Sequence, residues 1–230
     1  MTLTDGLQAY YKFTNNTNDS SGNGNTATNS GATLTTDKNS VSNQSYQFTS
    51  ASSGNMYLPY TNLIGSVGTI SLWIKSDDAG AIDKEIFSCR NGSNYYIQIR
   101  RYTTGYYQGV LNDYVVDTVS ARDTNWHHIV ITWDSASTWK YYFDTTLRHT
   151  GASGKNPSNT NYPRIGAEGN GNVVSATPIY WDGKIDEVRI YNRALSSDEI
   201  TALYTGYDNP VYPPVGGAAT NLGANDFGGL

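Results

Sequence analysis

Apolar and polar positions alternate with a period of two in short runs along most of the chain. These runs are Leu7 to Phe13, Tyr46 to Phe48, Met56 to Leu58, Thr69 to Lys75, Glu85 to Cys89 and Tyr95 to Tyr102. They continue at Tyr107 to Asn112, His127 to Trp133, Lys140 to Phe143, Arg164 to Gly166 and Gly183 to Tyr191. Strict alternation turns every second side chain to one face of an extended segment, so each run predicts a half-buried strand. Turn formers separate the runs at Asn15 to Asn25, Asn91-Gly92-Ser93, Thr103-Thr104-Gly105, Gly151 to Asn161 and Gly169 to Asn172. About eleven to fourteen short strands spaced by such signals predict an all-β, two-sheet antiparallel sandwich. Thr26 to Ser45, rich in Ser, Thr and Asn, predicts a long loop or weak edge strands. The period changes once. Ser197 to Tyr204 predicts a short helix, with Ser196 or Ser197 as cap, Asp198 and Glu199 in the first turn and Gly206 at its end. Beyond Tyr207 the periodicity stops, and the chain divides into a sandwich domain over 1–206 and a Gly/Pro-rich extended tail over 207–230. That tail reads either as a linker or as an arm that packs against a protein partner or the protein's own subunits.

Composition narrows the function classes. The 230 residues carry a net charge of -5 with only 15% charged side chains, so no basic field is available for a phosphate backbone and nucleic acid is not an expected partner. No apolar run approaches the roughly 20 residues of a membrane-spanning helix, so membrane insertion is not expected. The first ten residues have neither a basic nor an apolar region of the kind that marks a secretory signal. A single cysteine, Cys89, excludes an internal disulfide and reads as a buried strand thiol. Nineteen tyrosines and 23 glycines, beside a 37% hydrophobic fraction, favour strands with polar outer faces.

Several segments in fixed order resemble one family. Leu7-Gln8-Ala9-Tyr10-Tyr11-Lys12-Phe13 precedes Asn18-Asp19-Ser20-Ser21-Gly22-Asn23-Gly24-Asn25. Tyr46-Gln47-Phe48, Gly68-Thr69-Ile70-Ser71-Leu72-Trp73-Ile74-Lys75 and Asn125 to Trp133 follow. The chain then runs Trp181-Asp182-Gly183-Lys184-Ile185-Asp186-Glu187-Val188-Arg189-Ile190-Tyr191-Asn192-Arg193-Ala194-Leu195-Ser196. Over residues 5–206 this is similar to the laminin-G-like, concanavalin A-like lectin/glucanase domains of bacteria and phages. The resemblance implies a jelly roll of two antiparallel sheets, one of them concave. It departs at Tyr142-Phe143-Asp144-Thr145-Thr146, where the family often has a Tyr-Val-Asp-Gly turn; without the glycine, a longer loop is expected.

The Asn18 to Asn25 loop offers an environment of hard oxygens, with Asp19, asparagines and glycines that let carbonyls converge. The resemblance implies a structural calcium there, with Asp19 and Asp186 as side-chain ligands and Gly22 and Asn25 beside them. The competing reading is an Asx-turn loop, with Asp186 satisfied by backbone donors. The hairpin Asn94 to Gln108 is expected to carry Tyr96, Gln98, Arg100 and Tyr102 on one face, aromatic and forked polar groups suited to sugars. Its competing reading is a solvated face of cross-strand tyrosine pairs.

Trp73, Trp126 and Trp133 are expected in the core, whereas Trp139 and Trp181 each border a turn. No catalytic residues are expected. The glucanases of this fold place two carboxylates on one strand face in a Glu-x-Asp-x-Glu or Glu-x-Asp-x-x-Glu frame. Here Asp182, Asp186 and Glu187 stand as D-G-K-I-D-E, and adjacent Asp186 and Glu187 are expected on opposite faces. His127, His128 and His149 likewise read as structural. Together these features point to a non-catalytic, calcium-stabilised carbohydrate-binding or adhesion module on a virion or cell surface. The alternative is a structural decoration, fibre or surface-layer subunit anchored by its tail.

Overall fold

In the computed structural model, the described residues are 2–59, 63–78, 83–91, 94–102, 105–111, 114–119, 123–136, 138–152, 157, 163–170, 173–174 and 179–206, with the backbone alone for 90–91, 94–96, 114–119, 170 and 173–174. The tail over 207–230, expected to be a linker or assembly arm, lies outside these residues, as does most of the turn cluster Gly151 to Asn161.

The strands are β1 (Leu7–Tyr11), β2 (Thr28–Ser30), β3 (Thr33–Thr35), β4 (Ser45–Phe48), β5 (Asn55–Tyr57) and β6 (Gly68–Ser76). They continue with β7 (Lys84–Asn91), β8 (Asn94–Arg101), β9 (Tyr107–Leu111), β10 (Tyr114–Val119), β11 (Trp126–Trp133) and β12 (Thr138–Phe143). Last come β13 (Thr146–Ala152), β14 (Arg164–Ile165), β15 (Gly169–Asn170), β16 (Val173–Val174), β17 (Gly183–Tyr191) and the helix α1 (Ser197–Thr205). One sheet has the order β13-β12-β11-β6-β17-β4-β3, with β1 also paired to β17; the other has the order β10-β9-β8-β7-β14-β5-β2. The strand pairings are antiparallel, and β15 and β16 form a separate small hairpin. The expected two-sheet antiparallel sandwich is therefore present, with one short helix.

Alternation explains which side of each strand is buried. Ile70, Leu72 and Ile74 of β6, Ile129 and Ile131 of β11, and Ile185, Val188 and Ile190 of β17 meet Phe87, Cys89, Ile97, Ile99, Leu111 and Ile165 of the opposite sheet in one core. Each such side chain contributes roughly 1.5–3 kcal/mol on burial. A second apolar cluster lies on the outer side of the first sheet. There Val130, Tyr142 and Tyr191 are covered by Leu3, Leu195 and the helix residues Ile200 and Leu203. The helix begins with a capping box in which the Ser196 hydroxyl accepts the Glu199 N–H and the Glu199 carboxylate accepts the Ser196 N–H.

Three expectations need correction. The β12–β13 connection is not a longer loop: Phe143 faces Thr146 directly, and Asp144 and Thr145 form a two-residue turn at φ 47 and 66. The missing glycine is tolerated because the Asp144 carboxylate accepts the His128 N–H at 2.9 Å and holds His127 Nδ1 at 2.7 Å, which ties the turn to β11. The tryptophans are also redistributed. Trp139 and Trp181 join Trp133 in the main core and Trp126 is half-buried, while Trp73 is buried as expected but packs against His128 and Tyr204. Finally, simple alternation fails at Asp186 and Glu187, because β17 carries a register shift between Asp186 and Arg189 and Glu187 has φ 52. Adjacent residues in a bulge do not obey the two-residue period.

Candidate functional site

β8 presents Ile97 and Ile99 to the core, so Gln98 and Arg100 project from the other side of the seven-stranded sheet. Cross-strand register then sets their neighbours. Glu85 of β7 stands opposite Arg100, Ser88 opposite Gln98, Gln108 of β9 opposite Arg100, and Arg164 of β14 opposite Ser88. This places two carboxamides, two guanidinium groups and a carboxylate on one face. Gln98 Nε2 donates to Glu85 Oε2 at 2.6 Å, and Arg100 Nε donates to Gln108 Oε1 at 2.6 Å.

Most of this polar face is buried, with Arg100 half-buried at its edge. Glu85 and Arg164 are fully buried, and Gln98 is only 2% exposed. The chain after β14 lies over it: Ser88 Oγ donates to Ala167 O at 2.9 Å, and Gly169 N donates to Ser88 Oγ at 3.1 Å. A side chain at Gly169 would strike the Arg164 Cδ and Nε, so glycine is what allows the backbone to settle on the guanidinium. Tyr57 completes this end, its ring centroid 3.9 Å from Arg164 Cζ.

Burial of charge without full compensation marks the face electrostatically. Burial, above all, pushes the Glu85 carboxyl well above its ordinary range; Gln98 and Arg100 oppose that shift, while Glu168 and Asp83 add to it. Asp83 is raised in the same way, by burial first and then by Glu168. Among the described residues, the buried atoms Glu85 Oε1, Asp83 Oδ1, and Arg164 Nε and Nη2 have no hydrogen-bond partner. Buried polar atoms in native proteins are almost always satisfied, so these open donors and acceptors mark positions for ordered water within the layer.

Of the expected ligand residues, the structure thus brings Gln98 and Arg100 together, and Tyr102 joins them at the strand end, its ring centroid 4.6 Å from Arg100 Cζ. The side chain of Tyr96 lies outside the described residues. Glu85, Gln108 and Arg164 were not singled out from the sequence. Glu85 and Gln108 hold outward positions in strands recognisable by alternation, but the pairing that gathers them is non-local.

The loop expected to hold calcium is closed around Asp19. Oδ1 accepts the Tyr10 N–H at 2.9 Å and the Ser21 N–H at 2.8 Å; Oδ2 accepts the Asn25 N–H at 2.9 Å and the Ser21 hydroxyl at 2.8 Å. Four accepted bonds use the roughly four lone-pair positions of a carboxylate. Burial would raise its pKa, but the bonds from Tyr10, Ser21 and Asn25 outweigh it and hold the carboxyl below the ordinary value. The Asn25 amide donates to Gln8 O at 2.8 Å, and Gly22 takes the left-handed φ of 90. Asp186 Oδ1 accepts the Glu187 N–H at 2.8 Å. In this arrangement the loop has the bonding of an Asx-type turn, and its donor set does not fit a calcium ion. Among the described residues, no group of three or more His, Cys, Asp and Glu side chains is placed to hold a metal. Asp182 is likewise occupied, by an ion pair with Lys84 and by the Ser50 N–H and hydroxyl.

The fold and these motifs agree with comparison to known proteins. Residues 49–201 match the family model described as the concanavalin A-like lectin/glucanases superfamily. The chain belongs to that superfamily. An 80-residue stretch is 35% identical to adhesion G-protein coupled receptor D1 of Bos taurus, and it covers 35% of this chain but 8% of the receptor. The binding domain of Paraclostridial Mosquitocidal Protein 1 superposes with a TM-score of 0.69 at 16% identity, over 90% of this chain and 54% of that one. Domain 4 of AbnA, a GH43 extracellular arabinanase from Geobacillus stearothermophilus solved with arabinotriose, gives 0.61 at 20% identity, over 86% of this chain and 98% of that domain. The chain therefore spans a small part of the receptor and about half of the toxin domain. At these identities the structural likeness concerns the fold. Among the described residues, no helix is long and apolar enough to cross a membrane.

Proposed function

We propose that this superfamily member is a non-catalytic glycan-binding module that works outside the cytoplasm, displayed on a virion or cell surface, and that its site is the outer face of the seven-stranded sheet around Glu85, Gln98, Arg100, Gln108 and Arg164. The observation that carries this reading is the cross-strand polar set Gln98–Glu85 and Arg100–Gln108, whose accessible edge is formed by the half-buried Arg100 and Tyr102. Sugar hydroxyls both donate and accept, so an amide, a guanidinium and a carboxylate together can satisfy several of them. Tyr57 and Tyr102 border the same layer and supply ring faces for sugar C–H groups. A related fold solved with arabinotriose, and a toxin binding domain, are consistent with recognition as the role of this sandwich.

The test is a glycan array probed with the full chain, its Arg100→Ala variant and its Glu85→Gln variant, each checked for folding by circular dichroism. Retention of a defined glycan set by the native chain, and its loss in Arg100→Ala, is the expected result. The same glycans incubated with native protein should be recovered uncleaved. Absence of any retained glycan overturns the reading, and cleavage abolished by Glu85→Gln replaces it with a hydrolase.

A further inference from the structure

β17 exchanges one neighbour for another half-way along its length. Its first residues pair with β4, from Gly183 with Phe48 to Ile185 with Tyr46; its last pair with β1, from Val188 with Tyr11 to Tyr191 with Leu7. β6 follows the opposite edge throughout, with its register shifted between Asp186 and Arg189. Neither β4 nor β1 pairs with Asp186 or Glu187, and a gap opens where β1 ends and β4 begins. That gap is a pocket of about 270 Å³ lined by Lys12, Thr14, Asp37, Val41, Gln44 and Glu187.

Glu187 is fixed in place with unusual thoroughness. It is 2% exposed and sits at φ 52, a conformation that a side chain larger than glycine keeps only where its surroundings over-determine it. The Tyr10 hydroxyl lies 2.8 and 2.6 Å from the two Glu187 carboxylate oxygens, Arg189 forms an ion pair with that carboxylate, and the Arg189 guanidinium lies 4.0 Å over the Tyr10 ring. Bulges of this kind re-aim a side chain, and here the re-aimed carboxylate forms part of the pocket wall.

The other lining groups keep capacity for a ligand. Lys12 Nζ lies 5.6 Å from the Tyr10 ring centroid and makes no hydrogen bond or ion pair among the described residues. Gln44 Oε1 accepts the Thr14 hydroxyl at 2.8 Å, which leaves the amide N–H groups for a ligand. Asp37 Oδ1 accepts the N–H groups of Asn39 and Val41 at 2.9 and 2.7 Å, which leaves Oδ2. Val41, 50% exposed, adds an apolar surface. The loop bearing Asp37 is pinned by its neighbour Lys38, whose ammonium lies 3.9 Å over the Trp73 ring.

A carboxylate, an amide and an ammonium converging beside one apolar side chain suit vicinal hydroxyls on a small ring. The volume of about 270 Å³ falls just below the usual range of ligand pockets and fits one residue rather than a chain. We infer that this pocket binds a single neutral terminal sugar residue, as a second glycan site on the outer face of the eight-stranded sheet, opposite the Glu85 face. The inference extends the glycan-binding reading but uses separate residues, so either site can fail alone.

The experiment is a titration of the isotope-labelled full chain with methyl glycosides of glucose, galactose, mannose, N-acetylglucosamine and N-acetylgalactosamine, read by amide chemical shifts. One of these sugars should shift the amides of Lys12, Val41 and Gln44, and Lys12→Gln and Asp37→Asn should each weaken that binding about tenfold or more. Arg148→Gln, on the exposed β13, should leave it unchanged. Shifts confined to Gln98 and Gln108 would report the other face alone and overturn the inference, as would an absence of shifts at millimolar sugar or binding that survives both variants. Should Asp37→Asn disturb its loop, Lys12→Gln still decides, because Lys12 holds no bond that folding requires.

Discussion

His127 and His128 are consecutive residues of β11 whose protonation moves in opposite directions. Burial lowers the His127 pKa, but the hydrogen bonds that its protonated ring donates to Asp144 and Asp123 outweigh it, and the net shift is upward. His128 is fully buried, with the Ser71 hydroxyl 2.8 Å from Nε2 and the charges of Arg189 and Lys38 nearby; burial first, then those charges, push it down to about 3. Adjacent positions thus give one histidine two carboxylates and the other a buried place against Trp73 with cations nearby.

The stability consequences follow from proton counts. The unfolded chain protonates His128 near its ordinary value of 6.5, and the folded chain does so only near 3, so His128 costs stability as pH falls through that window. The slope is about 1.4 kcal/mol per pH unit. His127 acts the other way: its contribution is complete below 6.5 and is lost as pH rises through its raised folded value. His127→Gln should therefore destabilise the protein at about pH 5.5 and have little effect at about pH 8.5. Thermal melts of the variant and native chain at both pH values test this; equal losses at both would mean that the Asp123 and Asp144 bonds do not hold the proton.

Asp19 is expected to organise its loop without a metal. Its low folded pKa means its contribution is present above the ordinary value of 3.8 and is lost as pH falls through the folded value. Asp19→Ala removes four accepted bonds and should cost about 2 kcal/mol, since the loop is part-exposed and water replaces some of them. Addition of a calcium chelator should leave the native melting temperature unchanged. A rise of several degrees on adding calcium, abolished in Asp19→Ala, would mean that the carboxylate leaves its N–H donors for the ion.

How legible this was in the sequence depended on the range of the interaction. The long strands β6, β11 and β17, and the α1 cap Ser196–Glu199, were readable because alternation and capping are local. β10, which carries three valines in six residues, and β13, whose residues are half-exposed or exposed, gave no alternating signal. The face around Gln98 and Arg100 was anticipated, but Glu85 and Arg164 reach it through pairings with β8 and β7 that no single segment encodes. Burial of that face was likewise invisible, since it comes from the chain at Ala167 to Gly169 folding back over Ser88. The seam at Glu187 was hidden for a sharper reason: strict alternation in β17 predicts the wrong side for a residue that lies in a bulge.

Glu85 predicts a pH dependence opposite in origin to that of Asp19. Its folded pKa is raised by burial, so the folded state holds a proton that the unfolded state releases above its ordinary value of 4.5. Stability from this residue therefore declines as pH rises from that value towards the folded pKa. Glu85→Gln keeps an acceptor for the Gln98 amide and never ionises. It should match the native chain near pH 4.5 and be more stable at about pH 8, by roughly 1 kcal/mol or more. Denaturant titrations at the two pH values check this, and a variant less stable at both would show that a charged partner compensates the carboxylate.

The turn at Asp144 and Thr145 offers a test in the stabilising direction. Thr145 is β-branched and sits at φ 66, where an L-residue costs roughly 1–2 kcal/mol that glycine does not incur. Glycine adds freedom to the unfolded chain, which returns about 0.5–1 kcal/mol of that gain. The hairpin itself is secured elsewhere, by the Asp144 carboxylate on His127 and His128 and by the Phe143–Thr146 pairing. Thr145→Gly should therefore raise stability by about 0.5–1 kcal/mol without moving the strands. Asp144→Ala should lower it, since it leaves the His128 N–H and His127 Nδ1 without their acceptor. Equilibrium denaturation of the two variants decides the matter: a loss in Thr145→Gly would mean that the threonine side chain makes a contact worth more than the strain of its backbone.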